Sequence, residues 1–154
     1  MSTNKAAKGS VPEELREAAN YSPHARLLGT QLEAWDPATK TVTMSFTVKR
    51  DLISARGAVQ GGLVAGFLDD VMGYAHILET GGVMAPLNLE ISMTLVAPVL
   101  EGPIIGTGRV VKAGRRVIFL EAELHDEDGK LLARSTSTAI PTERPRIDDP
   151  RSGR

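Results

Sequence analysis

The chain has no cysteine, which excludes disulfides, thiolate nucleophiles and cysteine-ligated zinc. No metal site is expected. Net charge is also missing: lysine plus arginine number 18 and aspartate plus glutamate 19, so no bulk field draws the protein to nucleic acid or to an anionic membrane. No apolar run approaches membrane-spanning length, and the polar segment from Met1 to Ser10 lacks the apolar core of a signal peptide. A soluble, cytoplasmic protein is the expectation. Aromatic residues make up only 4%, so the few beside any apolar pocket must do much of its shaping. At 154 residues the chain fits a single domain with a real core.

What is present is concentrated between Arg56 and Glu79. Arg56-Gly57-Ala58-Val59-Gln60-Gly61-Gly62 is a glycine-rich turn that runs straight into an apolar-periodic segment. That pattern delivers backbone amides to a helix N-terminus, where negative charge is stabilised. At 100° per residue, Val64, Phe67, Leu68, Val71, Ala75 and Leu78 form one buried stripe. Asp69 lies opposite, on a face shared with Gly62, Ala65, Gly66, Gly73 and His76. Each glycine inside a helix costs about 1 kcal/mol relative to alanine, and close approach of a backbone or ligand is the expected compensation. Asp70 faces elsewhere and reads as a structural or interfacial charge, and His76 as structural.

Around this helix the chain reads in order. Residues 1–10 and 142–154 are expected as disordered tails flanking one domain at 11–141. A short helix opens at Pro12-Glu13-Glu14-Leu15 and breaks at Tyr21-Ser22-Pro23-His24, and a second turn leads to Gly29. Gln31–Trp35 and the strictly alternating Thr41–Val48 form a hairpin. After Gly81-Gly82 come extended segments at Pro86–Ala97, Ile104–Lys112, Val117–His125 and Lys130–Ile140. In the first of these, Leu87, Leu89, Ile91, Met93 and Leu95 are expected on one side, with Asn88, Glu90, Ser92 and Thr94 on the other. Consecutive hairpins imply an antiparallel sheet wrapped around the one long helix, an α+β architecture. Ser135, Thr136, Ser137 and Thr138 read as ordinary strand residues.

Several residues carry a family resemblance: Gln60-Gly61-Gly62 at the helix start, Asp69 nine positions on, Asn88-Leu89, Ala97-Pro98, Gly114-Arg115 and Asp128-Gly129-Lys130-Leu131-Leu132-Ala133. Together they resemble the hotdog-fold acyl-CoA thioesterases of the PaaI-like type, in the 4-hydroxybenzoyl-CoA thioesterase superfamily. The resemblance covers about Gly29 to Ile140. It implies a hotdog fold, an acyl-CoA substrate with coenzyme A as part of it, and no other cofactor. It implies Asp69 as general base or nucleophile and the Gly61 amide as polariser of the thioester carbonyl, with Gln60 beside it. It also implies a homo-oligomer, a dimer or a tetramer built as a dimer of dimers. Each active site would lie between subunits, with Asp69 and Gly61 from different chains.

Two positions depart from the commoner family pattern. Gln60 stands where many relatives have histidine; its amide can donate a hydrogen bond but cannot titrate. Ser54 stands where asparagine or glutamine is commoner, and is expected to hold a water. The expected substrate-binding set is Ser54, Gly62, Met72, Asn88, Arg115 and Arg116. Of these, the two arginines read as a solvated hairpin or as ligands of the coenzyme A phosphates. An apolar acyl slot is expected among Phe67, Met72, Tyr74 and the strand from Leu87 to Leu95. The alternative function is a non-catalytic hotdog protein that binds acyl thioesters. A hydratase is disfavoured because His24, His76 and His125 all miss the helix-start position.

Overall fold

The computed structural model describes residues 9–145. The expected tails therefore lie outside the described residues at 1–8 and 146–154. Among the described residues, Gly9 bridges to Trp35 and the last strand runs through Thr142 and Glu143.

Two short helices come first, α1 (Glu13–Tyr21) and α2 (Pro23–Leu28), followed by β1 (Thr30–Asp36) and β2 (Thr41–Val48). The central helix α3 (Gly61–Glu79) precedes β3 (Met84–Leu95), β4 (Gly102–Ala113), β5 (Ile118–His125) and β6 (Leu131–Glu143). Pro23 at the first turn of α2 ends α1 and starts a new helix, because the residue before a proline is pushed out of the helical region.

All six strands form one antiparallel sheet in the order β1-β2-β4-β5-β6-β3. The expected antiparallel sheet around one long helix is therefore present, and it is a hotdog fold. The expectation of consecutive hairpins needs one correction. β4, β5 and β6 form a meander, but β3 pairs with β6 and not with β4. The chain leaves β3 at one edge and crosses to the middle of the sheet, so among the described residues β3 keeps a free edge.

Alternation along β3 also differs from the expected pattern. A register shift between Asn88 and Glu90 inserts Leu89 as an extra residue. One inserted residue reverses which side chains face inward. Ile91 and Met93 pack against the core while Leu87 and Leu89 are 54% and 63% exposed. Asn88 turns inward with the apolar residues.

The stripe Val64, Phe67, Leu68, Val71, Ala75 and Leu78 is buried as periodicity requires. Phe67 meets Phe46 of β2 edge-on, with ring centroids 5.0 Å apart. The helix sits unusually close to β4 because Gly106 and Gly108 have no side chains. A Cβ at Gly108 would lie 2.4 Å from the Val71 carbonyl oxygen, and one at Gly106 2.6 Å from a Val71 methyl. The close approach that helix glycines were expected to serve is made here by strand glycines.

Candidate active site

The start of α3 is capped by Gln60. Its side-chain Oε1 accepts from the Leu63 N–H at 3.1 Å, and its backbone carbonyl accepts from Leu63 and Val64. The Leu63 amide, one of the four without an i−4 partner, is thereby satisfied, and the Val64 bond is the first of the helix itself. The N–H groups of Gly61 and Gly62 have no acceptor among the described residues. Both positions are crowded: a Cβ at Gly62 would lie 3.0 Å from Gln60 Oε1, and one at Gly61 3.2 Å from a Leu95 methyl. Two free donors at the positive end of a helix dipole are a ready place for developing negative charge. Beside them lies an apolar hollow of about 290 Å³ lined by residues including Val59, Val64, Leu95, Ala97 and Val99.

Two turns further along α3, Asp69 accepts a hydrogen bond at Oδ1 from the Asn88 amide Nδ2. The β3 bulge makes this contact possible, since regular alternation would aim Asn88 away from the helix. Burial pushes the Asp69 carboxyl above the usual range, the Asn88 hydrogen bond holds it down, and the charges of Asp70 and His24 add opposing smaller pushes. The residue as a whole stays exposed in the single protomer, so the desolvation comes from its immediate neighbours on α3 and β3.

Asp70 points elsewhere, as helix geometry requires. Its Oδ1 pairs with His24 Nε2 at 2.8 Å and its Oδ2 accepts from Thr30 Oγ1 at 3.2 Å. Ser22 Oγ stands 3.1 Å from the other ring nitrogen of His24. The Asp70 hydrogen bond raises the His24 pKa, with burial opposing it. The cluster ties α2 and β1 to α3, so Asp70 is structural; no spacing in the sequence links Ser22, His24 and Thr30 to it.

The remaining expected residues separate. Ser54 Oγ accepts from the Arg56 N–H at 3.3 Å, so the hydroxyl is engaged within its own turn. Met72 is fully buried and its sulfur accepts from Ser135 Oγ at 3.6 Å. Phe67 and Tyr74 are likewise buried, and burial lifts the Tyr74 hydroxyl to about 12. These three side chains belong to the core, because they face the sheet, and do not form the expected slot. Arg115 and Arg116 lie in the β4–β5 turn. That turn closes the row Ala113, Ile118, Ala139, Asn88 across four strands. Neither arginine makes a side-chain hydrogen bond or ion pair among the described residues. His76, placed by the helical wheel on the Asp69 face, is 3% exposed with neither ring nitrogen hydrogen-bonded. The sheet encloses the C-terminal half of α3 more fully than a one-sided stripe implies.

A larger hollow of about 550 Å³ lies on the sheet face away from α3, lined by groups such as Thr107, Arg109, Glu121 and Arg134. Arg109 Nε donates to Glu121 at 2.8 Å. Both side chains of that pair are exposed.

Fold and site together define a class, a hotdog protein with a carboxylate and a helix-terminal donor pair on its central helix. The thioesterase superfamily profile matches residues 56–133, and the chain belongs to that superfamily. Thioesterase HI1161 of Haemophilus influenzae superposes with a TM-score of 0.76 at 18% identity, covering 92% of this chain and 97% of that one. Smu.793 of Streptococcus mutans, solved bound to acetyl CoA, gives a TM-score of 0.66 at 16% identity over 76% of this chain and 91% of its own. A curated relative from Saccharolobus solfataricus, provisionally named an esterase, is 30% identical over 87 residues; the match spans 56% of this chain and 61% of that relative.

Proposed function

We propose that the protein hydrolyses an acyl-CoA thioester, with Asp69 as the reacting carboxylate and the Gly61 amide as the oxyanion donor. One observation carries this reading. Asp69, whose carboxylate accepts from Asn88 of β3, sits on the same helix whose first amides are left free among the described residues. A thioesterase-superfamily chain supports hydrolysis at that level; the acetyl CoA bound by the Streptococcus mutans protein supports the coenzyme A part.

In the proposed reaction Asp69 takes a proton from water as the oxygen attacks the thioester carbonyl carbon, or attacks that carbon itself to give an anhydride that water then opens. The carbonyl oxygen becomes an oxyanion facing the Gly61 N–H, a fixed donor that need not reorganise. The carbon–sulfur bond breaks, the coenzyme A thiolate is protonated, and the free acid remains. Gln60 keeps the helix start in place through its cap and leaves its Nε2 donors available. The apolar hollow against Gly61 takes the apolar acyl part, and Arg115 and Arg116 take phosphates of coenzyme A. The protein acts as a homo-oligomer with each site between two copies, in the cytoplasm.

The test is thiol release from a panel of acyl-CoAs, from malonyl to medium-chain and phenylacetyl, followed with a thiol reagent. Turnover of the apolar members above the malonyl member is expected. Binding of the panel without thiol release would replace this reading with that of an acyl-thioester-binding protein.

A further inference from the structure

Asn88 stands where the alternation of β3 breaks, and its amide is held at both ends. Nδ2 donates to Asp69, and Oδ1 accepts from Ser137 Oγ at 2.7 Å. The direction of each bond is forced. An ionised carboxylate only accepts, so the amino group must face Asp69; the amide oxygen then faces Ser137, whose hydroxyl must donate. Ser137 is 3% exposed and lies on the inner face of β6, paired with Leu120 of β5 on one side and Ile91 of β3 on the other. Its hydroxyl is therefore set by a strand inside the sheet and by a side chain with one heavy-atom torsion.

We propose that Ser137 is a positioning residue for the Asp69 carboxylate, acting through the side-chain amide of Asn88. An amide has two orientations about its last torsion that differ only in which end is oxygen. In one of them the oxygen of Asn88 would face the carboxylate and repel it. The accept-only carboxylate disfavours that orientation, and the Ser137 hydroxyl holds the amide in the other by donating to its oxygen, a bond that would be lost if the amide turned. Asp69 thus receives a donor that is oriented before substrate arrives. This role rests on the reading of Asp69 as the reacting group, but the orientation itself is a property of the hydrogen bonds alone.

The test reads the carboxyl directly. The 13C carboxyl resonance of Asp69, assigned by its loss in Asp69→Asn, is titrated in the full chain for wild type, Ser137→Ala, Asn88→Ala and the double variant. Alanine removes only the serine oxygen, and the other charges acting on Asp69, His24 and Asp70, are untouched. Losing an oriented donor raises a carboxyl pKa, so the midpoint should rise by about half a pH unit or more in Ser137→Ala. If Ser137 acts through Asn88, adding Ser137→Ala to Asn88→Ala should produce no further rise. A Ser137→Ala midpoint equal to wild type, or rises that add in the double variant, would overturn the proposal. Turnover is measured separately on the acyl-CoA panel, so an inactive wild type with a shifted titration would sink the hydrolase reading and leave the positioning role standing.

Discussion

At the residue scale the question is what one carboxylate does. Asp69→Asn keeps the shape of the side chain and removes its charge, so thioester turnover should fall by on the order of 10² or more. Asp70→Asn, whose carboxyl is committed to His24 and Thr30, should cost much less in the same assay. In the reverse outcome the wrong carboxylate has been assigned. Hydrolysis needs Asp69 ionised, so the rate should decline as pH falls through a midpoint above the ordinary aspartate value, the direction in which burial moves it. The same shift has a stability consequence. The folded state holds its proton more tightly than the unfolded chain, so stability is greatest below the unfolded pKa and is lost as pH rises through the folded one. Asp69→Asn should therefore raise the melting temperature at neutral pH while abolishing activity, the trade common at active sites. His76 shows the opposite sign: burial lowers its pKa, and Glu79 opposes this. The unfolded chain then binds the proton more readily, so stability should fall as pH drops through about 6.5. His76→Leu should flatten that acid loss in thermal melts; an unchanged pH profile would show that His76 is not its source.

At the element scale, the position of α3 against the sheet is set by β4. Gly108→Ala places a methyl 2.4 Å from the Val71 carbonyl, and backbone cannot yield as a side-chain tip does. Overpacking of this kind should cost about 1–3 kcal/mol in denaturant unfolding and shift the helix that carries both Gly61 and Asp69. A variant with wild-type stability would mean that the helix rides further from the sheet than described. The bulge at Leu89 is the second element-scale device. It costs β3 one regular ladder position and turns Asn88 toward Asp69, the kind of re-aiming for which bulges near reaction sites are known.

At the scale of the whole molecule, one helix cannot supply both halves of the proposed site to one carbonyl. Gly61 and Asp69 are separated by about 12 Å of helix rise at 1.5 Å per residue, whereas a reacting carbonyl must lie near both. Two copies satisfy this if the amide comes from one and the carboxylate from the other. The free edge of β3, with Leu87 and Leu89 exposed, is the part of the protomer that most needs a partner. Sedimentation equilibrium at micromolar concentration should give a dimer or larger species, and a folded monomer would contradict it. A sharper check mixes two inactive variants. Gly61→Pro removes the donor at a helix position proline favours, and refolding it with Asp69→Asn should restore about a quarter of wild-type turnover, since random pairing of a two-fold dimer yields half hybrids with one intact site each. No recovery on mixing would place both groups of a site in one chain.

Local chemistry determined much of this protein by itself. The stripe from Val64 to Leu78, the alternation in Thr41–Val48, the turns at Asp36 and Asp126 and the Gln60-Gly61-Gly62 helix start are written within a few residues of where they act. Helical and strand periods and dipole chemistry read them without reference to the rest of the chain. Strand order, the Leu89 bulge, the inward turn of Asn88, the Ser137 hydroxyl behind it and the His24–Asp70 pair were decided only by the tertiary structure. Each depends on which distant backbone lies alongside, and a period-two pattern fixes the alternation of faces but not where it reverses. The expected slot of Phe67, Met72 and Tyr74 failed for the same reason: side-chain type marks a residue as apolar, and only the wrapped sheet decides whether it meets the core or a ligand.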